Sequence, residues 1–288
     1  MKIMRKVTII SDSTCDLSKE LKERYQIETF PLHINLGEEQ YSDGVDITAE
    51  DIYAWSDETK QTPKTSTLSP FEAEECLEKH LAGGKDVICF CISETMSSCV
   101  NVMRMAARSL GSEDRVFVVD SKNLSTGIGL QIIEAAIMAD EGMGAKEIVE
   151  AVSAMQSRVR ASFVVDTLTY LHRGGRCSGL AAMVGGTLGL HPYISVVDGK
   201  MQPGKKYRGR MNKTIMHYVE DLRPELEKAK CDRVFITHSG CDEEIIANVK
   251  AYLEEMNYFN EILITQAGCV VTSHCGPGTL GVLFVAGE

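Results

Sequence analysis

The sequence predicts an α/β protein with two domains, the first built on a mostly parallel sheet and the second on a mixed α/β arrangement. In the first half, three apolar runs end in serine or aspartate and lead into helical patterns, at residues 11–12, 93 and 120–121. Parallel strands joined by helices gather such polar ends along one rim of a sheet, where open α/β folds bind ligands. The second half contains an Asp198-Gly199 hairpin turn, which is typical of antiparallel strands. The length of 288 residues suits two domains, which we place at 1–160 and 161–288.

Composition and charge argue against nucleic-acid-binding, secreted, membrane and metal-binding proteins. The net charge of −11 argues against a nucleic-acid partner, which would require a dominant basic face. Ten cysteines without a CxxC motif are typical of reduced core thiols, and therefore of a cytoplasmic protein. The apolar run at 7–10 is too short for a signal peptide, and no run is long enough for an integral membrane segment. The histidines lack metal-ligand spacing with the cysteines, so we expect no metal site.

Hydrophobic periodicity and helix-capping residues predict the helices and strands of the first domain. Residues 17–25 follow a polar cluster that can cap a helix, and Pro70 after Ser69 is typical of a helix start. Thr65 and Ser66 lie before the residues that cap this helix, so capping does not account for their hydroxyls. This weakly favours a functional role for them. The predicted strands are 7–10, 29–36, 87–92 and 116–121, and the predicted helices are 17–25, 49–57, 71–81, 127–139 and 145–158.

The most informative stretch is 86–99, where a buried strand gives way to a helix. Four hydroxyl residues separate the two elements: Ser93, Thr95, Ser97 and Ser98. A helix that begins at Ser97 or Ser98 places backbone N–H groups and hydroxyls where carboxylates and phosphates bind. The alternative, which is favoured when the stretch is taken alone, is that these serines only cap the helix.

The second domain is less regular. Residues 170–176 form a basic, glycine-rich turn whose arginines, Arg173 and Arg176, either clamp an anion or are solvated. A small-residue helix at 179–190 precedes the hairpin, and a basic cluster follows it at Lys205, Lys206, Arg208, Arg210 and Lys213. Such a cluster is usually a solvated face, and the less common alternative is a docking patch for an acidic or phosphorylated partner. We expect a helix at 211–228 interrupted at Pro224, strands at 233–240, 262–265 and 279–286, a helix at 243–256, and a glycine-rich turn at 270–278.

Several chemistries have no motif in this sequence. It lacks GxSxG, GxxxxGK[ST] and HExxH, and the literal GxGxxG match at 276–281 leaves no room for the required helix. We therefore expect no cofactor. What remains is hydroxyls at helix starts, a histidine at 274 and scattered arginines, a set that binds a carboxylate or phosphate without an evident means of transforming it.

Taken together, short motifs in order along the chain resemble the DegV family, the fatty-acid-binding proteins that serve as the FakB subunit of bacterial fatty acid kinase. The resemblance covers essentially the whole chain. It rests on Ser11-Asp12-Ser13, Asp43-Gly44-Val45-Asp46-Ile47, Thr65-Ser66-x-x-Ser69-Pro70, Ile92-Ser93-x-x-Met96-Ser97-Ser98, Asp120-Ser121, Gly174-Gly175-Arg176, Pro192-x-Ile194-Ser195-Val196-x-Asp198-Gly199-Lys200 and His274-x-Gly276-Pro277-Gly278.

This resemblance implies a two-domain DegV-like fold with one long-chain fatty acid in a buried tunnel between the domains. Thr65 and Ser97 would hold the carboxylate, with Ser66, Ser98 and His274 beside them. Arg176 and Arg208 would lie near the site or face the kinase. The sequence departs from the family pattern at Ser98, Cys99 and Val100, where Gly, Thr and Tyr are common.

We therefore expect a carrier that presents a fatty-acid carboxylate to an ATP-dependent kinase partner, which makes the acyl-phosphate. The alternative is a self-contained serine hydrolase or acyltransferase with Ser97 as nucleophile and His274 as base. A nucleophilic serine needs a base oriented by a third group, and no acidic residue lies near His274 in the sequence, which favours the carrier.

Overall fold

A computed structural model describes residues 5–175 and 189–287. Its strands are β1 Val7–Asp12, β2 Ile27–Phe30, β3 His33–Leu36, β4 Glu39–Ser42, β5 Lys64–Ser66, β6 Asp86–Cys91, β7 Val116–Asp120, β8 Val159–Val164, β9 Leu190–Val197, β10 Lys200–Arg208, β11 Ala229–Ser239, β12 Glu261–Gln266 and β13 Thr279–Ala286. Its α-helices are α1 Lys19–Tyr25, α2 Ala49–Thr59, α3 Pro70–Leu81, α4 Cys99–Ser109, α5 Thr126–Asp140, α6 Ala145–Met155, α7 Thr169–Arg173, α8 Met211–Leu226, α9 Glu243–Glu255 and α10 Cys269–Cys275.

A four-stranded parallel sheet forms the first half, in the order β2-β1-β6-β7. Its strands read as nearly continuous apolar runs because helices cover both faces of such sheets. The chain leaves β1 toward β2 and leaves β6 toward β7, so the strand order reverses between β1 and β6. Ligands in open α/β sheets bind at the carboxyl ends of the strands at such a reversal. The predicted parallel sheet is confirmed.

A six-stranded mixed sheet forms the second half, in the order β10-β9-β8-β13-β11-β12. Its neighbours pair antiparallel except β11 and β12, which are parallel. The α/β class with a mixed second part is therefore confirmed. The division at residue 160 stays a prediction, and that residue lies inside β8, whose strand belongs to the second sheet.

One prediction around the first sheet was wrong, and one strand was missed. The strand expected at 29–36 is two strands, because the chain turns at Pro31 and Leu32 and passes from the parallel sheet into a separate antiparallel sheet, β4-β3-β5. Proline lacks the N–H that a central strand would use. Strand β5 was not predicted at all. It is three residues long and carries Thr65, which places that side chain on a sheet edge.

Two predictions in the second half were also wrong. The residues at 270–278 were expected to form a glycine-rich turn, whereas most of them belong to helix α10. Pro224 was expected to interrupt a helix, yet α8 runs from Met211 to Leu226 with Pro224 inside it. The helix predicted at 179–190 lies almost entirely outside the described residues.

Candidate functional site

One cavity of about 300 Å³ lies beyond the carboxyl ends of strands in the first sheet, because Ile92, which follows β6, and Leu124, which lies after β7, both line it. All five residues predicted to hold a carboxylate line it, namely Thr65, Ser66, Ser97, Ser98 and His274. They come from three separate places: strand β5, the loop before α4 and helix α10. Ser66 and Ser98 are exposed, so the polar end of the cavity lies at the surface. The structure thus brings the predicted residues together.

Hydrogen bonds fix the polar end. The Nε2 atom of His274 lies 2.8 Å from Oγ1 of Thr65. The Oγ atom of Ser97 accepts the backbone N–H of Cys99 at 3.2 Å, so this serine does act at the start of α4. Ser97 and Ser98 directly precede this helix, whose first N–H groups and dipole favour an anion. The capping and ligand interpretations of Ser97 are therefore compatible.

The remaining wall of the cavity is mostly apolar. Side chains from both halves of the chain contribute, including Leu32, Ile92, Met96, Leu124, Leu171, Met201, Val270 and Val271. A carboxylate buried beside such a wall needs hydrogen-bond donors, because an unpaired buried charge costs several kcal/mol or more. The arrangement suits an amphipathic ligand with one anionic end and an apolar body.

The helix that carries His274 is held by two carboxylates from the first half. The backbone N–H of Gly268 donates to Asp16 Oδ1 at 2.8 Å, and that of Cys269 donates to Asp43 Oδ1 at 2.7 Å. Both carboxylates also accept hydroxyls, Asp16 from Ser125 and Asp43 from Ser13. Burial raises the pKa of Asp16 to about 8. The position of α10, and so of His274, depends on these contacts.

The loop that carries Ser97 is supported from β1. The carboxylate of Asp12 accepts the N–H of Ile92 at 2.7 Å through Oδ2, and the N–H of Thr14 at 3.0 Å through Oδ1. Asp12 is completely buried, and this burial raises its pKa. It joins the ends of β1 and β6 at the point where the strand order reverses.

Asp12 also lies within 4.8 Å of the thiols of Cys91 and Cys99, which is close enough to hold a metal ion. The contacts favour a packed core instead. Both Asp12 oxygens already accept donors from the protein. The hydrogen bond between Cys89 and Cys91, together with burial, raises the Cys91 pKa, and the bond to Cys91, together with burial, raises that of Cys99. Both thiols are therefore protonated at neutral pH in the metal-free protein, and both are completely buried among core side chains.

Of the two arginines predicted to face a kinase, only Arg208 lies among the described residues, and it does not line the cavity. Arg208 is exposed at the end of β10, and Arg176 lies outside the described residues. The apolar wall and the supporting carboxylates Asp16 and Asp43 were not predicted as site residues. The apolar residues carry no sequence signal that distinguishes them from core, whereas both aspartates lie in polar stretches near strand ends.

A family model described as "Uncharacterised protein, DegV family" matches residues 6–287. The chain belongs to the DegV family. A DegV domain-containing protein of Clostridium perfringens is 32% identical over 282 residues, which cover 98% of this chain and 99% of the relative.

Solved DegV structures share the whole fold. A DegV family protein from Thermus thermophilus, whose structure is described as showing fatty-acid binding, superposes with a TM-score of 0.89. It is 29% identical, and the match covers 98% of this chain and 100% of that one. A stearic-acid-binding protein from Eubacterium ventriosum has a TM-score of 0.83 and 29% identity, with 97% and 98% covered. No helix among the described residues is both long and apolar enough to cross a membrane.

Proposed function

We propose that this chain binds one long-chain fatty acid in the cavity beside Thr65 and Ser97 and presents the carboxylate to a partner kinase. The observation that carries the proposal is the division of the cavity into a hydroxyl-lined end at the surface and an apolar wall behind it. The fatty-acid binding described for the Thermus thermophilus DegV protein and the stearic-acid binding described for the Eubacterium ventriosum protein support the same ligand class.

The energetics suit this ligand. Burying an acyl chain of about sixteen carbons at about 0.8 kcal/mol per CH₂ gains on the order of 10 kcal/mol before ordering costs. Hydroxyls of Thr65 and Ser97, with the His274 ring beside them, would supply hydrogen bonds to the carboxylate. A cradle without a fixed positive charge also leaves the carboxylate nucleophilic toward a phosphoryl donor.

Presentation to a kinase is supported by the surface position of the polar end. Exposed Ser66 and Ser98 lie at this end, so a phosphoryl donor held by a partner can approach the carboxylate. Strand β10 supplies exposed basic side chains, including Lys206 and Arg208, in a protein of net charge −11. Such a strand suits the docking of an acidic surface or of bound nucleotide phosphates.

The competing proposal is a serine hydrolase or acyltransferase that uses Ser97 and His274. In the structure the Nε2 atom of His274 pairs with Thr65, and Ser97 accepts a backbone N–H at the start of α4. Nucleophilic serines instead donate to a base that a third group orients. These contacts favour the carrier.

Mass spectrometry of the protein purified from bacteria tests the proposal. Under denaturing conditions we expect release of a non-covalent long-chain fatty acid and a polypeptide of unmodified mass. A covalent acyl adduct on Ser97 would establish the enzyme instead. Protein that carries no fatty acid, and takes up neither palmitic nor oleic acid, would contradict the proposed ligand class.

A further inference from the structure

The turn between β9 and β10 is attached to the loop that carries two of the cavity serines. The backbone carbonyl of Gly199 accepts a hydrogen bond from Ser93 Oγ at 2.8 Å and a second one from Thr95 Oγ1. Both donors lie between β6 and α4, a few residues before Ser97. We call this pair of hydrogen bonds the hairpin contact. It joins the second sheet to the binding loop of the first.

The hairpin contact depends on a glycine. Asp198 and Gly199 have φ angles of 49° and 78°, the left-handed values that a two-residue type I′ turn requires. A Cβ atom at position 199 would lie 2.6 Å from Ser93 Oγ, a distance that real side chains do not adopt. The turn and the loop are therefore too close together for any side chain at position 199 unless one of them moves.

Both sides of the hairpin contact reach the same cavity. The loop contributes Ser97 and Ser98 to the wall, and β10 contributes Met201, two residues beyond the turn. A ligand in this cavity thus contacts the loop and the strand at once. Beyond Met201, β10 is the edge strand of its sheet and pairs with β9 within the described residues. An edge strand held on one side is more easily displaced than a central one.

We propose that occupation of the cavity is transmitted through the hairpin contact to β10, so that a bound fatty acid orders the basic strand that ends at Arg208. This inference rests on the proposed function, because it takes the ligand to be a fatty acid. A bound acyl chain packs against Met201, and the empty protein lacks this contact. A ligand shifts the equilibrium between two conformations of a protein by the difference in its contacts with them. A partner that docks on β10 would thereby distinguish the loaded carrier from the empty one.

Hydrogen–deuterium exchange of the delipidated protein, with and without oleic acid, tests this coupling. We expect oleic acid to slow exchange of the amides at 200–208 on the order of fivefold in the wild type. Gly199→Ala, which forces the turn away from Ser93, should still bind oleic acid but lose most of this ligand-dependent slowing. Thr95→Val, which removes one donor, should reduce the slowing in part and serves if the glycine variant fails to fold.

Gly37→Ala is the matched control. Gly37 lies in the β3–β4 turn with a φ of +66° and open space around its added Cβ, so this variant carries the same backbone strain without touching the hairpin contact. It should retain the wild-type response. Unchanged exchange at 200–208 in a wild type that binds oleic acid overturns the coupling and leaves the proposed function intact. An equal response in Gly199→Ala excludes the hairpin contact as the route, and absence of binding overturns the proposed function itself.

Discussion

The Nε2 atom of His274 lies 2.8 Å from Oγ1 of Thr65, although the two residues are 209 positions apart in the chain. Thr65 comes from the three-residue edge strand β5 and His274 from helix α10. Their contact lines the polar end of the cavity from two sides, and a carboxylate between them and Ser97 would meet two hydroxyls and an imidazole from three separate places in the chain.

Removal of a cradle hydroxyl should weaken fatty-acid binding without unfolding the protein. We expect Thr65→Ala and Ser97→Ala each to cost about 1–3 kcal/mol, which is typical of losing a hydrogen bond to a charged group. Calorimetric titration with oleic acid measures the affinity. Ser153→Ala is the control, because the Ser153 hydroxyl donates to Val149 O in helix α6 and does not line this cavity. Wild-type affinity in both cradle variants would show that these hydroxyls are only structural.

Gly174 should control the position of the histidine ring. A Cβ atom at this position would lie 2.4 Å from Nδ1 of His274 and 3.1 Å from the carbonyl of Tyr170. Gly174→Ala should therefore displace the ring from its position beside Thr65 and lower the affinity for oleic acid by several-fold. Gly83→Ala is the control, because its nearest neighbour would be 4.0 Å away. Equal affinities of the two variants would show that the ring tolerates displacement.

The sequence was informative about the first sheet for a physical reason. Buried parallel strands are apolar throughout and end in polar residues, so the runs before Ser11, Ser93 and Asp120 are visible without any knowledge of their partners. The Ser69 cap and Pro70 also identify the start of α3 locally. Ser97 and Ser98 follow from the same signal, because they lie in the loop after β6, whereas Thr65 and Ser66 belong to the unpredicted strand β5.

Helix α10 shows where local signals fail. Val270, Val271 and Thr272 are β-branched and disfavour a helix, and glycines follow at 276 and 278. Tertiary contacts supply what the segment lacks, because Asp16 and Asp43 accept the N–H groups at its start. Both acceptors lie more than 220 positions away in the chain. The sequence did not predict the apolar wall of the cavity for a related reason. Leu32 and Met201 are apolar like core residues, and only the cavity beside them in the fold distinguishes them.

The stability of the protein should fall with rising pH through Asp16. Burial raises the pKa of Asp16 from its ordinary value near 3.8 to about 8. Between these values the folded state holds a proton that the unfolded state has lost, so the free energy of unfolding decreases as pH rises from about 4 to about 8 and levels off above. Asp16→Asn has no proton to lose and should show a smaller decrease.

Urea unfolding at pH 5, 7 and 8.5 measures this difference between the wild type and Asp16→Asn. The asparagine keeps an oxygen that can accept from Gly268, so the variant should fold and retain helix α10. Parallel pH profiles in the two proteins would show that Asp16 is ionised in the folded state, held so by its hydrogen bonds from Gly268 and Ser125.

Substitution of Arg208 should separate ligand binding from phosphorylation. Arg208 is exposed at the end of β10, away from the cavity lining. We therefore expect Arg208→Ala to bind oleic acid like the wild type but to lose acyl-phosphate formation with a cognate kinase, and Arg176→Ala to behave in the same way. Arg108→Ala, which removes an exposed charge on α4 that pairs with Glu113, is the control.

Kinase docking of the wild type should weaken as salt rises, because exposed charges are screened over about 8–10 Å at 0.1–0.15 M ionic strength. Loss of oleic-acid binding would place the arginine in the pocket, and normal phosphorylation in both variants would exclude the basic strand as the docking face.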